Sequence, residues 1–196
     1  MSGKPEKKQR ILNAALPVFA GKGYEKTTID EIAHGADVSK GTVYTYFRSK
    51  EDLFDQLVKF WLLKLQKTIK EKIEPCRLDQ KLGVLIISFI DFFRKNPGVF
   101  MIVEEYKLYS RRATSSLNEP INELFMLDPE LLEIRQQEIR AGRIVDVSAE
   151  NNVLFIMSVL TALLYREFFG NRKIEACDIE EIDLLLTHGL MKKKKV

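Results

Sequence analysis

The residues best suited to chemistry are Lys40-Gly41-Thr42, with Ser39 before them and Tyr44, Thr45 and Tyr46 after. A lysine can contact a phosphate or a guanine, and a threonine can donate to a base or give its methyl to thymine. A tyrosine hydroxyl suits a phosphate, and Gly41 lets a backbone approach closely. At the start of a helix, these residue types can reach base edges in a major groove. Catalysis is poorly provided for. His34 and His188 are far apart and lack neighbours at catalytic spacing, and there is no Gly-x-Ser-x-Gly, phosphate loop or metal pair. Cys76 and Cys177 are isolated, with no metal-ligand spacing and little case for a disulfide. No catalytic residue, cofactor or metal is expected.

Thr28 to Phe47 has the pattern needed to position these residues as a helix-turn-helix. Two short helices crossing steeply need a small residue at their contact, and Ala33 supplies it. Ile29, Ile32, Val38 and Val43 supply the inward apolar side chains, and Gly35 to Asp37 supplies the turn. Ser39 is placed to cap the second helix. Thr28 and Lys50 stand at helix starts, where free N–H groups and the dipole favour phosphate. A helical hairpin without function would show the same small and apolar residues. It would not need Lys-Gly-Thr followed by outward aromatics.

The rest of the chain reads as helix, because apolar residues recur at helical spacing and no segment alternates for long. A first helix carries Ile11, Leu12, Ala15, Val18 and Phe19, and Gly21 and Gly23 end it. Pro17 lies inside it and predicts a local kink. A longer helix starts at Lys50 and stops near Pro75. Leu82 to Phe93 is apolar on almost all sides and reads as a buried central helix. Asn96-Pro97-Gly98 breaks it, and Phe100 to Arg111 forms the next. Thr114 to Asn118 reads as a loop, and Pro120–Phe125 with Pro129–Arg140 as a helix or broken pair. Ala149–Phe169 and Ile179–Met191 complete the set. Thr28 with Glu31, Ser49 with Asp52 and Asp178 with Glu181 each place a capping oxygen three residues ahead of an acid.

With 196 residues, 45% apolar and 30% charged, the composition is that of a globular protein. No apolar run approaches the roughly 20 residues that cross a bilayer. The basic start lacks a cleavage site, so a cytoplasmic location without membrane contact is expected. Residues 1–50 carry nine basic and five acidic residues, residues 51–191 have a net charge of −5, and the tail Lys192–Lys195 adds +4. A basic front end suits a polyanion, and an acidic body does not. A solvated face is the simpler reading of the lysine tail.

From about Arg10 to Phe54 the sequence resembles the N-terminal domain of the TetR family of bacterial regulators. The likeness rests on Ile11-Leu12-Asn13-Ala14-Ala15, Phe19, Gly23-Tyr24, Thr27-Thr28-Ile29, Ile32-Ala33, Ala36, Val38 to Tyr44, Tyr46-Phe47 and Lys50-Glu51-Asp52-Leu53. It covers about a quarter of the chain. The resemblance implies an all-α homodimer of about nine helices per chain, paired through the last two. It implies a helix-turn-helix DNA-binding domain at 1–50 and a helical effector-binding and dimerisation domain at 51–196. It also implies that a ligand controls the binding of double-stranded operator DNA, with repression the usual mode. By this likeness Thr28, Ser39, Lys40, Gly41, Thr42, Tyr44, Thr45, Tyr46 and Lys50 are the DNA contacts.

A pocket for a small-molecule effector needs an apolar wall with a few convergent polar groups. Phe89, Phe93, Tyr106, Tyr109 and Phe155 could line one, with Asp91 and Glu105 as polar groups. The same aromatics could be ordinary core. A carboxylate buried among them would select a cationic effector, and an apolar pocket without one would favour a lipid-like or aromatic effector. The long helix from Lys50 is the natural lever, because two recognition helices must sit about 34–36 Å apart. A ligand-independent DNA-binding or architectural protein and a helical enzyme are the competing readings. The roughly 140 residues beyond the DNA-binding segment speak against the first, and the absence of catalytic spacing against the second.

Overall fold

The computed structural model describes residues 4–110, 136–137, 139–140 and 148–188. The expected loop at 114–118, the helix at 120–125, most of 129–140 and the lysine tail lie outside them. Every element among the described residues is a helix: α1 Lys4–Lys26, α2 Ile29–Gly35, α3 Lys40–Tyr46, α4 Lys50–Ile73, α5 Leu78–Lys95, α6 Pro97–Ser110, α7 Ala149–Phe169 and α8 Ala176–His188. None is long and apolar enough to cross a membrane.

The chain divides into two compact units, one from Met1–Lys64 with Phe93–Leu117 and one from Leu65–Phe92 with Asn118–Val196. In the first, α1 packs against α2 and α6, and α2 against α3. The α1 residues Ile11, Leu12, Ala15 and Phe19 fall on one stripe and are buried. The helix breaks at Gly23, whose φ of 77° and ψ of 165° favour glycine. Pro17 does not leave the helical region. It is exposed, as is Asn13, so the Asn13 carbonyl that loses its N–H partner can turn to water.

The core of this unit is an aromatic cluster. Phe54 lies 4.8 Å from Phe19, 5.2 Å from Tyr24 and 5.6 Å from Tyr106, between ring centroids. Burying each such side chain contributes about 1.5–3 kcal/mol. Burial pushes the neighbouring Asp55 carboxyl up, against the Tyr106 hydroxyl that donates to it.

In the second unit Ile86, Phe89, Ile90, Leu160 and Leu164 are buried. Helix α5 is apolar nearly all round, yet Ile87 is exposed, so it is not buried on every side. Helix α8 begins three residues before its expected start. Asp178 lies in its first turn and accepts the Glu175 N–H at 2.9 Å, with Arg166 2.8 Å away. That N–H and the Arg166 guanidinium hold its carboxyl below the ordinary range. Asp178 is therefore the acid of a cap centred on Glu175, not a cap residue itself. A polar residue three before an acid occurs in both registers, so the pattern alone could not choose.

Candidate nucleic-acid interface

Helix α2 starts with the expected reciprocal cap. The Glu31 N–H donates to Thr28 Oγ1 at 3.3 Å, and the Thr28 N–H donates to Glu31 Oε2 at 3.1 Å. Its buried face is Ile29, Ile32 and Ala33. The turn reverses at Asp37, with φ of 52°, and not at Gly35. Aspartate tolerates this left-handed conformation better than most residues. Arg10 ties the turn to α1 by donating to the Ala36 carbonyl at 2.7 Å. Ser39 caps α3, accepting the Thr42 N–H at 3.1 Å.

Helix α3 divides cleanly into two faces. Val43 is fully buried and Phe47, just beyond the helix, nearly so. Lys40, Gly41, Tyr44 and Thr45 are exposed, and Thr42 and Tyr46 are half-buried. A Cβ on Gly41 would meet only Ser39 Oγ, at 3.9 Å. Nothing inside the domain requires glycine there, and the open side is the outer one. The aspartate beside Lys40, Asp30 at 2.8 Å, holds the ammonium above its ordinary value. Lys22 and then the Thr28 N–H hold Glu31 below its own.

Two of the residues expected to meet phosphate also hold the fold. The Lys50 ammonium donates to the carbonyls of Tyr24, Glu25 and Thr27 at 2.8, 3.2 and 3.2 Å and sits 4.5 Å from the Tyr24 ring centroid. Its three donors close the end of α1. The Thr28 N–H and hydroxyl both serve Glu31, so this helix start carries its own anion. The Thr28 arrangement follows from its capping spacing with Glu31, but that of Lys50 has no spacing signal, because Lys50 and Tyr24 are 26 residues apart.

The residues proposed for an effector pocket fall in both units. Tyr106 belongs to the aromatic cluster of the first unit, and Glu105 Oε1 accepts the Tyr24 N–H at 2.6 Å. Phe93 packs edge-on to Phe100 at 5.7 Å. Phe89 is buried and Asp91 half-buried in the second unit. Phe155 is 56% exposed on α7, an outward position in place of the wall expected for it. Tyr109 lies on α6, and its side chain is outside the description. With Glu105 committed to the backbone at Gly23–Tyr24, a cationic effector would have Asp91 alone of the two carboxylates.

A capped helix-turn-helix, buried on one side and presenting Lys40, Thr42 and tyrosines on the other, defines a DNA-binding protein. Residues 11–57 match the model for bacterial regulatory proteins of the tetR family. The fatty acid metabolism regulator protein of Bacillus subtilis is 29% identical over 165 residues, covering 79% of this chain and 81% of that protein. The regulator QacR of Staphylococcus aureus is 31% identical over 119 residues, covering 60% and 62%. Among solved structures, the regulator FadR from Bacillus subtilis in complex with stearoyl-CoA superposes with a TM-score of 0.75 at 23% identity, covering 93% and 99%. FadR from Bacillus halodurans gives 0.77 at 22% identity, covering 96% and 98%. Residues 11–57 are thus those of a tetR-type DNA-binding domain, and the chain is a DNA-binding transcriptional regulator similar over most of its length to regulators that carry this domain.

Proposed function

We propose that this regulator binds a palindromic operator as a homodimer and is released from it by a small molecule bearing a long acyl chain. The observation that carries the reading is the divided face of α3. Val43 and Phe47 anchor the helix, while Lys40, Gly41, Thr42, Tyr44, Thr45 and Tyr46 are left to meet a groove. Lys50 serves the end of α1, and Thr28 reaches phosphate only by sharing donors with Glu31.

Two further observations support the dimer and the effector. Leu154, Ser158, Ala162, Tyr165 and Phe169 form an exposed stripe along α7, and Leu184 and Leu185 are exposed on α8. Large apolar residues with small ones between them fit close packing of a second copy. For the effector, the related Bacillus subtilis regulator is named for fatty acid metabolism, and the similarly folded FadR holds stearoyl-CoA. In this chain Ser88 is buried, and its hydroxyl has no hydrogen-bond partner among the described residues, as a polar group facing a ligand would.

The test is a gel shift at fixed salt on a duplex selected from a random library by this protein. Lys40→Ala and Tyr44→Ala should each weaken binding about tenfold or more, the cost of one base or phosphate contact, with unchanged melting temperature. Stearoyl-CoA should release the duplex and free coenzyme A should not. Unchanged affinity in both variants would overturn the interface. Indifference to stearoyl-CoA would overturn the effector and favour a ligand-independent DNA-binding protein.

A further inference from the structure

The helix-turn-helix is less basic than a polyanion partner leads one to expect. Between Thr28 and Phe47 Lys40 is the only lysine and there is no arginine, against Asp30, Glu31 and Asp37. The basic excess of the first fifty residues comes instead from α1, from Arg48 just before α4 and from Lys50 at its start. Each acid of the motif faces a base. Lys22 pairs with Glu31, Arg10 lies 3.6 Å from Asp37, and Lys40 lies 2.8 Å from Asp30.

The first two pairs are part of the scaffold. Lys22 and Arg10 belong to α1, and Arg10 also holds the Ala36 carbonyl. The third pair joins α2 to α3 and is exposed at both ends, 53% for the Lys40 side chain and 65% for Asp30. Asp30 lies in the first turn of α2. In a helix-turn-helix that first helix crosses the phosphate backbone while the second enters the groove. A carboxylate there takes one of the three donors of Lys40 and sets a negative charge beside the phosphates. Both effects oppose phosphate contact, which supplies essentially all of the affinity for a wrong duplex but only a share of it for the right one, where Lys40 keeps two donors for a base edge. Contacts from Thr42 and Tyr44 to base edges are not opposed in this way, because they do not depend on the lysine charge.

We infer that Asp30 is a specificity-determining residue, whose ion pair withholds Lys40 from phosphates so that a duplex is held firmly only when its base edges satisfy α3. The inference rests on α3 being the recognition helix. Asp30 adds no contact to the correct site. It lowers affinity for the wrong ones.

The experiment compares the full chain with Asp30→Asn and Asp30→Glu on two duplexes of equal length and composition, one selected by the wild-type protein and one scrambled. Asp30→Asn should bind the scrambled duplex on the order of tenfold more tightly at 0.1 M-scale salt, with a steeper salt dependence by about one unit of slope per protomer. The selected duplex should gain less, so that the ratio of the two affinities falls several-fold. Asp30→Glu keeps the charge and should keep the ratio. Equal gains on both duplexes, no change on either, or equal losses with an unaltered salt slope would each overturn the inference. Equal losses would mean that Asp30 only positions Lys40. A selection that enriches no duplex at all would instead overturn the recognition helix, and the inference with it.

Discussion

Helices α1 to α3 and helices α7 and α8 treat their large apolar side chains in opposite ways. In the first region Ile11, Phe19, Ile32, Val43 and Phe47 are at most 1% exposed, and the exposed Tyr44 lies on the face assigned to DNA. In the second, Leu154, Phe155, Phe169 and Leu184 are each more than half exposed. Scattered exposed apolar residues are ordinary, but a continuous stripe along a helix is not. The first region closes its own core and offers polar groups to a polyanion. The second withholds apolar area that a second copy would cover. On the proposed reading, the first region would recognise through hydrogen bonds and the second through buried area.

The largest test of that contrast changes the stripe. Leu154→Glu with Phe169→Glu should convert the protein from a dimer to a 22.7 kDa monomer in light scattering. Operator affinity should fall roughly 100-fold or more as the two half-sites lose their linkage. A double variant that stays dimeric would end the comparison. The closed region should respond through stability instead. Phe54→Ala empties the middle of the aromatic cluster and should cost about 3–5 kcal/mol in denaturant unfolding.

Glu105 gives a finer probe. Glu105→Ala strands the Tyr24 N–H and should cost about 1–3 kcal/mol, whereas Glu105→Gln keeps an acceptor and should cost less. Equal losses would show that the carboxylate charge, not the hydrogen bond, holds the Gly23 break. Thr28→Ala removes the α2 cap and should cost about 1 kcal/mol. The smallest effect is that of pH on Asp178. Its folded carboxyl lies below the ordinary 3.8, so its contribution is complete above that value and is lost as the pH falls through the folded pKa. In Asp178→Asn this part of the acid destabilisation should be missing from thermal melts taken down the acid range.

Much of the recognition helix was legible because its signals are local. Thr28 and Glu31 are three residues apart, as are Ser39 and Thr42, and a helix makes such neighbours touch. The apolar spacing likewise marked α7 at Ala149–Phe169 without error. The turn was legible as the span Gly35 to Asp37 but not to the residue, because both Gly35 and Asp37 are types that can reverse a chain and the reversal falls at Asp37. The start of α8 failed for a related reason, since one motif fits two registers.

The proposed pocket was the least legible part. Glu105 and Tyr106 are types that could line a cavity or complete a core, and their neighbours Tyr24 and Phe54 are 81 and 52 positions away. Sequence alone determined the helical class, the helix-turn-helix and the outward residues of α3, because periodicity, capping and turn chemistry act over three to seven residues. The tertiary structure decided where charge is spent. It set the Lys50 ammonium on the carbonyls closing α1, set Asp30 against Lys40 and turned Glu105 onto the break at Gly23. Each of those contacts joins separate elements, and the identity of the partner depends on packing that no local spacing records.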